Sequence, residues 1–422
     1  MTNPILKRAE DFMEARLLKK AGVYPFFRPM SSSEGAHVEF EGRELIMIGS
    51  NNYLGLTNDI RVKKAGHDAI ERFGTGCTGS RFLNGNSVLH DQLEAELSTF
   101  LGKEDTLVFA TGFMTNYAAI GTLVEEGDYI LSDNENHASI IAGCKASLAQ
   151  TIVYRHNDTT DLRAKLALLP PGAAKLIVTD AVFSMTGEIA DLADIVQVKK
   201  QFPNTFLLID DAHGLGVLGK EGRGTADSFG LAGEVDFICA TFSKSFASLG
   251  GFIAGDATVI DYLRHKARAF MFSAALPPAS AACALKVLEL LQTDPQILQR
   301  LWKSVHRARE GYEALALSFV PSLTPILSIR VGDERKALLL VKELFANGIF
   351  ATPVMYPAVP FGHALIRTSY MATHSKSDID HVLSVLETLK KPFDLEANDL
   401  PHQLPQAHTY AFEEFQEAQN AN

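Results

Sequence analysis

From about residue 45 onward, short apolar runs alternate with stretches whose apolar residues recur at helical spacing. The runs are Leu45–Ile48, Thr106–Ala110, Tyr129–Ser132, Thr151–Tyr154, Lys175–Asp180, Phe206–Asp210, Asp236–Ala240 and Gly251–Gly255. Helical stretches such as Asp91–Leu101 and Leu192–Gln201 separate several of them. Apolar strands alternating with helices predict a mostly parallel sheet covered on both faces. Ligands of such sheets gather at the carboxyl ends of the strands, so the residues just after each run are where chemistry is sought.

The pattern divides the chain. Residues 1–44 read as an N-terminal arm, with an amphipathic helix carrying Glu10, Asp11 and Glu14, then Val23-Tyr24-Pro25-Phe26-Phe27 and a polar turn. Residues 45–290 form the large sheet domain. Residues 291–392 form a smaller α/β domain with strand candidates Ile326–Val331 and Leu365–Thr368. The tail, 393–422, is acidic with Pro, Gln and Asn, the composition of a flexible extension. The fold class expected is α/β, and 422 residues suit a large domain plus a smaller one.

Composition narrows the function. With 46% hydrophobic and 21% charged residues the chain is ordinary globular material. A net charge of −11 repels nucleic acid unless a local basic patch exists. The densest basic run, Arg264, His265, Lys266 and Arg268, reads as a solvated or interface helix face, with a small ligand's phosphates as the alternative. Cys77, Cys144, Cys239 and Cys283 have no metal-ligand or CxxC spacing and read as buried thiols in a reducing compartment. The N-terminus does not read as a signal peptide, and no uncharged apolar run reaches the length of a membrane span. A cytoplasmic protein is expected, with loose contact at the inner membrane surface left open.

Four strand ends carry chemistry. Phe206-Leu-Leu-Ile-Asp210-Asp211-Ala-His213 ends an apolar strand in charged groups, which are costly there unless partnered; a single aspartate helix cap is the plainer reading. Ala240-Thr241-Phe-Ser243-Lys244-Ser ends another strand in a hydroxyl-rich turn around a lysine. An exposed loop lysine would look the same, but one enclosed by apolar strands has a lowered pKa and can form a Schiff base with a carbonyl cofactor. Thr241 and Ser243 offer hydroxyls to a phosphate. Ala110-Thr-Gly112-Phe113 starts a helix after a strand, where backbone amides bind anions. His137 follows a strand and is positioned to stack on a flat ring, although a surface histidine is the plainer reading. Together, Asp, His, Lys and a helix-start Gly suit a phosphorylated heteroaromatic aldehyde whose protonated ring accepts electrons.

At this point the residues carry a resemblance. Gly49-Ser-Asn-Asn52-Tyr53-Leu-Gly, Gly74-Thr-Gly-Cys-Thr-Gly79-Ser-Arg81, Asn136-His137-Ala-Ser, Phe183-Ser184-Met-Thr-Gly187, Asp210-Asp-Ala-His213-Gly, Thr241-Phe-Ser-Lys244-Ser, Ile366-Arg367 and Ala372-Thr-His374 occur in order. The chain resembles the α-oxoamine synthase family of fold-type I pyridoxal-phosphate enzymes from about residue 20 to 392. The resemblance implies pyridoxal 5′-phosphate held by Lys244, which later moves the α-proton. It implies Asp210 at the ring nitrogen, His137 on the ring face, and Ser184 and His213 near the ring hydroxyl. Gly112, Phe113, Thr241 and Ser243 would hold the phosphate. A homodimer with shared sites is implied, Ser273 and Ala274 reaching the partner's phosphate. Arg367 would bind the substrate carboxylate through a bidentate contact, and Asn52 and Tyr53 would lie at the site mouth. Two positions depart from the family pattern: Asp211 stands where Glu is common, and Thr186 where Asp is common.

Catalytic residues are shared across the family and do not choose the substrates. Val23-Tyr-Pro-Phe-Phe-Arg28, the 74–85 segment, Arg155-His-Asn157 and Leu263-Arg-His-Lys-Ala-Arg268 are similar to those of the bacterial serine palmitoyltransferase branch. That branch implies L-serine and a long-chain acyl-CoA. The apolar Ala358-Val-Pro360 before Arg367 fits a long acyl chain, and equally an ordinary packed loop. The rivals are a glycine or alanine member of the family, an aminotransferase or decarboxylase on the same fold, and a non-catalytic subunit, which the presence of Lys244 disfavours.

Overall fold

The structure, a computed structural model, describes residues 3–397. The expected tail lies outside the described residues except for 393–397, and these are packed, not extended away: Leu395 is fully buried and Glu396 bridges Leu317.

The chain opens with helices Pro4–Asp11 and Glu14–Lys20, which bury none of their side chains. Strands β1 (His37–Phe40) and β2 (Arg43–Met47) follow. Their turn residues Glu41 and Gly42 both have positive φ, 51° and 71°, the backbone of a two-residue hairpin whose twist matches its strands. The central strands are β3 (Asp105–Phe109), β4 (Tyr129–Asp133), β5 (Gln150–Tyr154), β6 (Lys175–Asp180), β7 (Thr205–Asp210), β8 (Phe237–Thr241) and β9 (Gly251–Gly255). Beyond them come β10 (Ile326–Gly332), β11 (Ile349–Phe350), β12 (Thr352–Val354) and β13 (Ala364–Ser369).

The large sheet has seven strands in the order β3-β9-β8-β7-β6-β4-β5. Only β9 runs antiparallel to its neighbours. Its strands coincide with the seven central apolar runs to within a residue or so at each end. The reason is burial on both faces. In β6, Leu176 and Val178 pack on one side with Ala119, Ile120 and Leu263, while Ile177 packs on the other with Leu162, Leu192 and Ile195. A strand covered on both sides has no polar alternate positions, and each fully buried Val, Leu or Ile contributes about 1.5–3 kcal/mol.

Two smaller sheets accompany it. One is β1-β2-β11, in which Ile46 and Met47 pair in parallel with Ile349 and Phe350. The other is the antiparallel β10-β13-β12. An apolar cluster runs from Val38 and Met47 through Tyr53 and Phe246 to Trp302, Ile366 and Leu386, so all three sheets share packing. The strands β1, β11 and β12 were not legible as apolar runs: they have four, two and three residues, and β12 contains Pro353.

The basic run lies on helices Ala257–Lys266 and Arg268–Met271, where Arg264 pairs with Asp105 at 3.1 Å, as a helix-face reading expects. All four cysteines are free; Cys144 and Cys239 are buried, Cys77 and Cys283 partly so. Among the described residues no helix is long and apolar enough to cross a membrane.

One buried ion pair ties the Gly74–Arg81 segment to this framework. Arg81 donates to both oxygens of Glu94, at 2.9 and 3.0 Å, and Glu94 also accepts the Val108 N–H at 2.8 Å. Their side chains are 6% and 8% exposed, and each has one further opposite charge at 3.8 Å, Asp91 for Arg81 and Arg264 for Glu94. Glu94→Ala leaves the guanidinium only the exposed Asp91 at 3.8 Å and is expected to cost about 3 kcal/mol in urea unfolding; a loss under about 1 kcal/mol, typical of an exposed pair, would contradict this.

Candidate active site

Neighbouring parallel strands stop at one edge, and their in-phase register sets Asp180 beside Asp210 and Asp210 beside Cys239. Thr111, just past β3, caps helix Gly112–Leu123 by accepting the Met114 N–H at 3.1 Å. The amides of Gly112 and Phe113 have no partner among the described residues, and such helix-start donors favour an anion. A Cβ on Gly112 would lie 2.7 Å from Thr241 Cβ and Oγ1. Glycine thus lets the helix start lie against the end of β8, where Thr241 Oγ1 is 2.8 Å from Ser243 Oγ. Two amides and two hydroxyls form one cradle of phosphate size.

Behind the cradle, Asp210 accepts Asn116 Nδ2–H at 2.6 Å and the Ala212 N–H at 3.2 Å. Asp180 accepts the His137 N–H at 2.7 Å. Burial, and then the Asp210 charge, push the Asp180 carboxyl well above its usual range. The Lys244 amine follows β8. Burial lowers its pKa to about 8 despite the opposing pull of Asp210 and Asp180. His137 caps helix Ala138–Ala146, its Nδ1 accepting the Ser139 N–H at 3.2 Å, which leaves Nε2 to carry the ring proton. Burial lowers its pKa, with Asp210 opposing and Lys244 adding to the effect.

A polar chain closes the other side. Arg367 Nη2 donates to Tyr53 Oη at 3.1 Å, and Tyr53 Oη lies 2.6 Å from His213 Nδ1. His213 is held well below its usual pKa by burial first, then by Lys244, Arg367 and His137. Burial raises the Tyr53 hydroxyl pKa. Both groups are therefore neutral and share one hydrogen bond, and the Tyr53 hydroxyl also lies 3.4 Å from Asn51 Oδ1. Arg367 also donates through Nε to the Ser184 carbonyl at 2.6 Å and through Nη2 to Asn51 Oδ1 at 2.7 Å.

A cavity of about 280 Å³ gathers nine of the expected residues: Gly112, Phe113, His137, Ser184, Asp210, His213, Thr241, Ser243 and Lys244. Tyr53 and Arg367 join it through His213 and Ser184. Three expectations need correction or qualification. Asn52 is not at the site mouth: it is 4% exposed and donates to Thr57 Oγ1 at 2.7 Å, while its neighbour Asn51 reaches Arg367. Tyr53 is fully buried, beneath the site and not at its mouth. Arg367 has Nε and Nη2 engaged within the protein, so Nη1 is its one nitrogen open to a carboxylate and a two-nitrogen grip requires a bond to break. Ser273 and Ala274 do not line this chain's cavity.

Asp180, Asn116, Ser139 and Asn51 were missed. Asp180 carried the same signal as Asp210, a carboxylate ending an apolar run. Asn116 lies one helical turn after Gly112, and nothing in its spacing distinguished it. Asp211 accepts both the hydroxyl and the amide of Thr225, at 2.5 and 2.7 Å, so its role is to hold the chain after β7. Thr186 accepts the Glu188 N–H at 3.3 Å within its own turn.

Two results are expected. In protein carrying ¹³C-methylated lysines and no cofactor, one resonance titrates near about 8 and is missing from Lys244→Ala. The lowered value means the neutral, nucleophilic amine gains with rising pH and is half-formed there; titration of every lysine near 10.5 would contradict the enclosure. Tyr53→Phe removes the hydroxyl between Arg367 and His213 and leaves a buried acceptor unpaired, a cost of about 1–3 kcal/mol in urea unfolding; an unchanged midpoint would show the chain to be dispensable.

Residues 43–386 match the family described as aminotransferase class I and II. A serine palmitoyltransferase of Sphingobacterium spiritivorum is 45% identical over 391 residues, covering 93% of this chain and 98% of that one. An 8-amino-7-oxononanoate synthase of Thermoanaerobacter pseudethanolicus is 40% identical over 388 residues, covering 91% and 98%. A solved serine palmitoyltransferase from S. paucimobilis, with a bound PLP–myriocin aldimine, superposes with a TM-score of 0.89 at 33% identity, covering 93% of this chain and all of that one. The cradle, the strand-end carboxylate and the enclosed amine all fit pyridoxal phosphate. The chain belongs to the aminotransferase class I and II family, in its α-oxoamine synthase branch of fold-type I pyridoxal-phosphate enzymes.

Proposed function

We propose that the protein joins L-serine to palmitoyl-CoA, releasing CoA and carbon dioxide and forming 3-ketodihydrosphingosine, with pyridoxal 5′-phosphate as cofactor. The observation that carries this reading is the enclosed Lys244 facing Asp210 and a phosphate-sized cradle in one cavity. The choice of serine and palmitoyl-CoA is supported by 45% identity to a serine palmitoyltransferase, against 40% to an 8-amino-7-oxononanoate synthase.

Each residue has a role in this reading. Gly112 and Phe113 amides and the Thr241 and Ser243 hydroxyls bind the phosphate. Asp210, oriented by Asn116, keeps a proton on the ring nitrogen through its charge. Bound there, pyridoxal phosphate supplies an electron sink beside the substrate nitrogen, for both condensation and decarboxylation. His137 packs its ring over the site, and Ser184 and the neutral His213 face the ring hydroxyl. Lys244, with its amine lowered to about 8, holds the cofactor and then takes and returns the α-proton near neutral pH. Arg367 offers Nη1 to the serine carboxylate. Its other nitrogens fix its angle through Ser184, Asn51 and Tyr53. Tyr356 and Phe361, 68% and 80% exposed, flank the Ala358–Pro360 loop and supply apolar surface for the acyl chain; Val359 itself packs against Val320, Val354 and Leu365.

In the same reading two copies pair, with Ser273 and Ala274 completing the partner's phosphate site. Residues 45–290 serve as the cofactor-holding unit, with 1–44 as an arm and 291–392, continued by the packed residues 393–397, as the substrate-closing unit. The lipid product makes contact with a membrane surface part of the proposal.

The test is free CoA release by cofactor-loaded protein, with serine, glycine, alanine and threonine each set against acetyl-, pimeloyl- and palmitoyl-CoA. Turnover with serine and palmitoyl-CoA, and little elsewhere, is expected. Turnover confined to glycine or alanine with a short acyl-CoA would keep the chemistry and replace the substrates. No CoA release from any pair would refute these substrates and leave transamination, decarboxylation or an unusual substrate pair.

A further inference from the structure

His156 lies outside the cavity, yet it joins two of the loops that form it. Its Nδ1 is 3.0 Å from Asp133 Oδ1, at the end of β4. Asp133 also accepts the Glu135 N–H at 2.9 Å and the Asn157 N–H at 3.0 Å, so it organises the turn leading to His137. The other face of the ring meets the turn after β6. Phe183 packs edge-on against it at 4.3 Å between centroids, and Glu188 Oε2 lies 3.8 Å from Nε2. Glu135 Oε2 is 3.9 Å from the same nitrogen.

Phe183 and Glu188 are the two ends of one turn. The Phe183 N–H donates to the Glu188 carbonyl at 2.8 Å, as does the Gly187 N–H to the Phe183 carbonyl. Between them, the Ser184 carbonyl takes Arg367 Nε. His156 thus touches both feet of the turn that fixes the guanidinium angle. Burial alone would keep the ring neutral, but the hydrogen bond it donates to Asp133 and the nearby Glu188 and Glu135 carboxylates, 3.8 and 3.9 Å from Nε2, outweigh it and raise the pKa to about 10. The same contact is the main cause of a lowered Glu188 carboxyl. Without this cation the buried Asp133 would lose its charged partner, and Glu188 would keep only the cationic pull of Arg330.

We infer that His156 is a positioning residue: its ring, held between Asp133 and Glu188, clamps the 183–188 turn to the end of β4 and thereby sets the Arg367 guanidinium that receives the amino-acid carboxylate. The inference rests on the proposed role of Arg367. A purely structural histidine would affect stability and cofactor binding together, whereas a clamp on this turn acts on amino-acid affinity.

The test uses two variants. His156→Asn retains a donor for Asp133 but loses the charge, the reach to Glu188 and the ring edge. Glu188→Gln breaks the far end without touching β4. With cofactor bound, L-serine is titrated by the change in cofactor absorbance, which reads binding and not turnover. The serine Kd is expected to rise about tenfold in each variant, about 1.4 kcal/mol, with cofactor Kd within about threefold of wild type, a difference of under 0.7 kcal/mol by the same relation. The double variant is expected to be no weaker than His156→Asn alone, because both changes open one clamp. Without substrate, amide exchange across 183–188 is expected to quicken in both variants. Wild-type serine affinity in both variants, or additive losses, would overturn the inference. So would unchanged exchange across the turn, whatever the amino acid proves to be. If wild type itself does not respond to L-serine while exchange quickens as expected, the serine reading fails and the clamp stands.

Discussion

The structure depends on one electrostatic constraint: two buried carboxylates on adjacent parallel strands must share an edge. Asp180 and Asp210 pair directly across β6 and β7, and each is 6% exposed. Two such carboxylates are tolerable only if each finds partners and they are not both left as unopposed charges. Asp210 has Asn116 and the Ala212 amide. Asp180 has the His137 amide and a proton affinity raised by burial. Lys244 supplies a cation, and the same burial that would strip its charge keeps its amine near about 8. The chemistry proposed for the site uses this balance directly.

The substrate side is built from a different sheet. Arg367 lies in β13, opposite Ser328 of β10 and Thr352 of β12. Asn51 and Tyr53 follow β2, and Ser184 follows β6. The guanidinium is therefore fixed by residues from two other parts of the chain, and Tyr53 extends the network to His213. In the proposed reading, a change in any of these loops alters the angle at which Arg367 meets a carboxylate, and this is the ground for assigning His156 an effect on binding.

The large sheet was legible because both its faces are buried, which removes polar alternation and leaves continuous apolar runs such as Leu176 to Val178. Lys244, Asp210, His137 and His213 were legible because polar groups at the end of such runs have few structural explanations. Asp180 ends an apolar run as Asp210 does, but its place beside Asp210 follows from the pairing of β6 with β7, which the sequence does not show. Asn51 and Asn52 are adjacent and chemically identical. Only the backbone decides which one turns toward Arg367 and which toward Thr57. β11 and β12 are too short to show a period, so the pairing of β2 with β11 could not be read from the sequence.

The central claim is that the amine after β8 is the group that holds the cofactor. The measurement that tests it most directly is borohydride reduction of protein loaded with pyridoxal phosphate, followed by proteolysis and mass spectrometry of the labelled peptide. The account predicts one phosphopyridoxyl group per chain, on Lys244. A label on another lysine, or none, would contradict it.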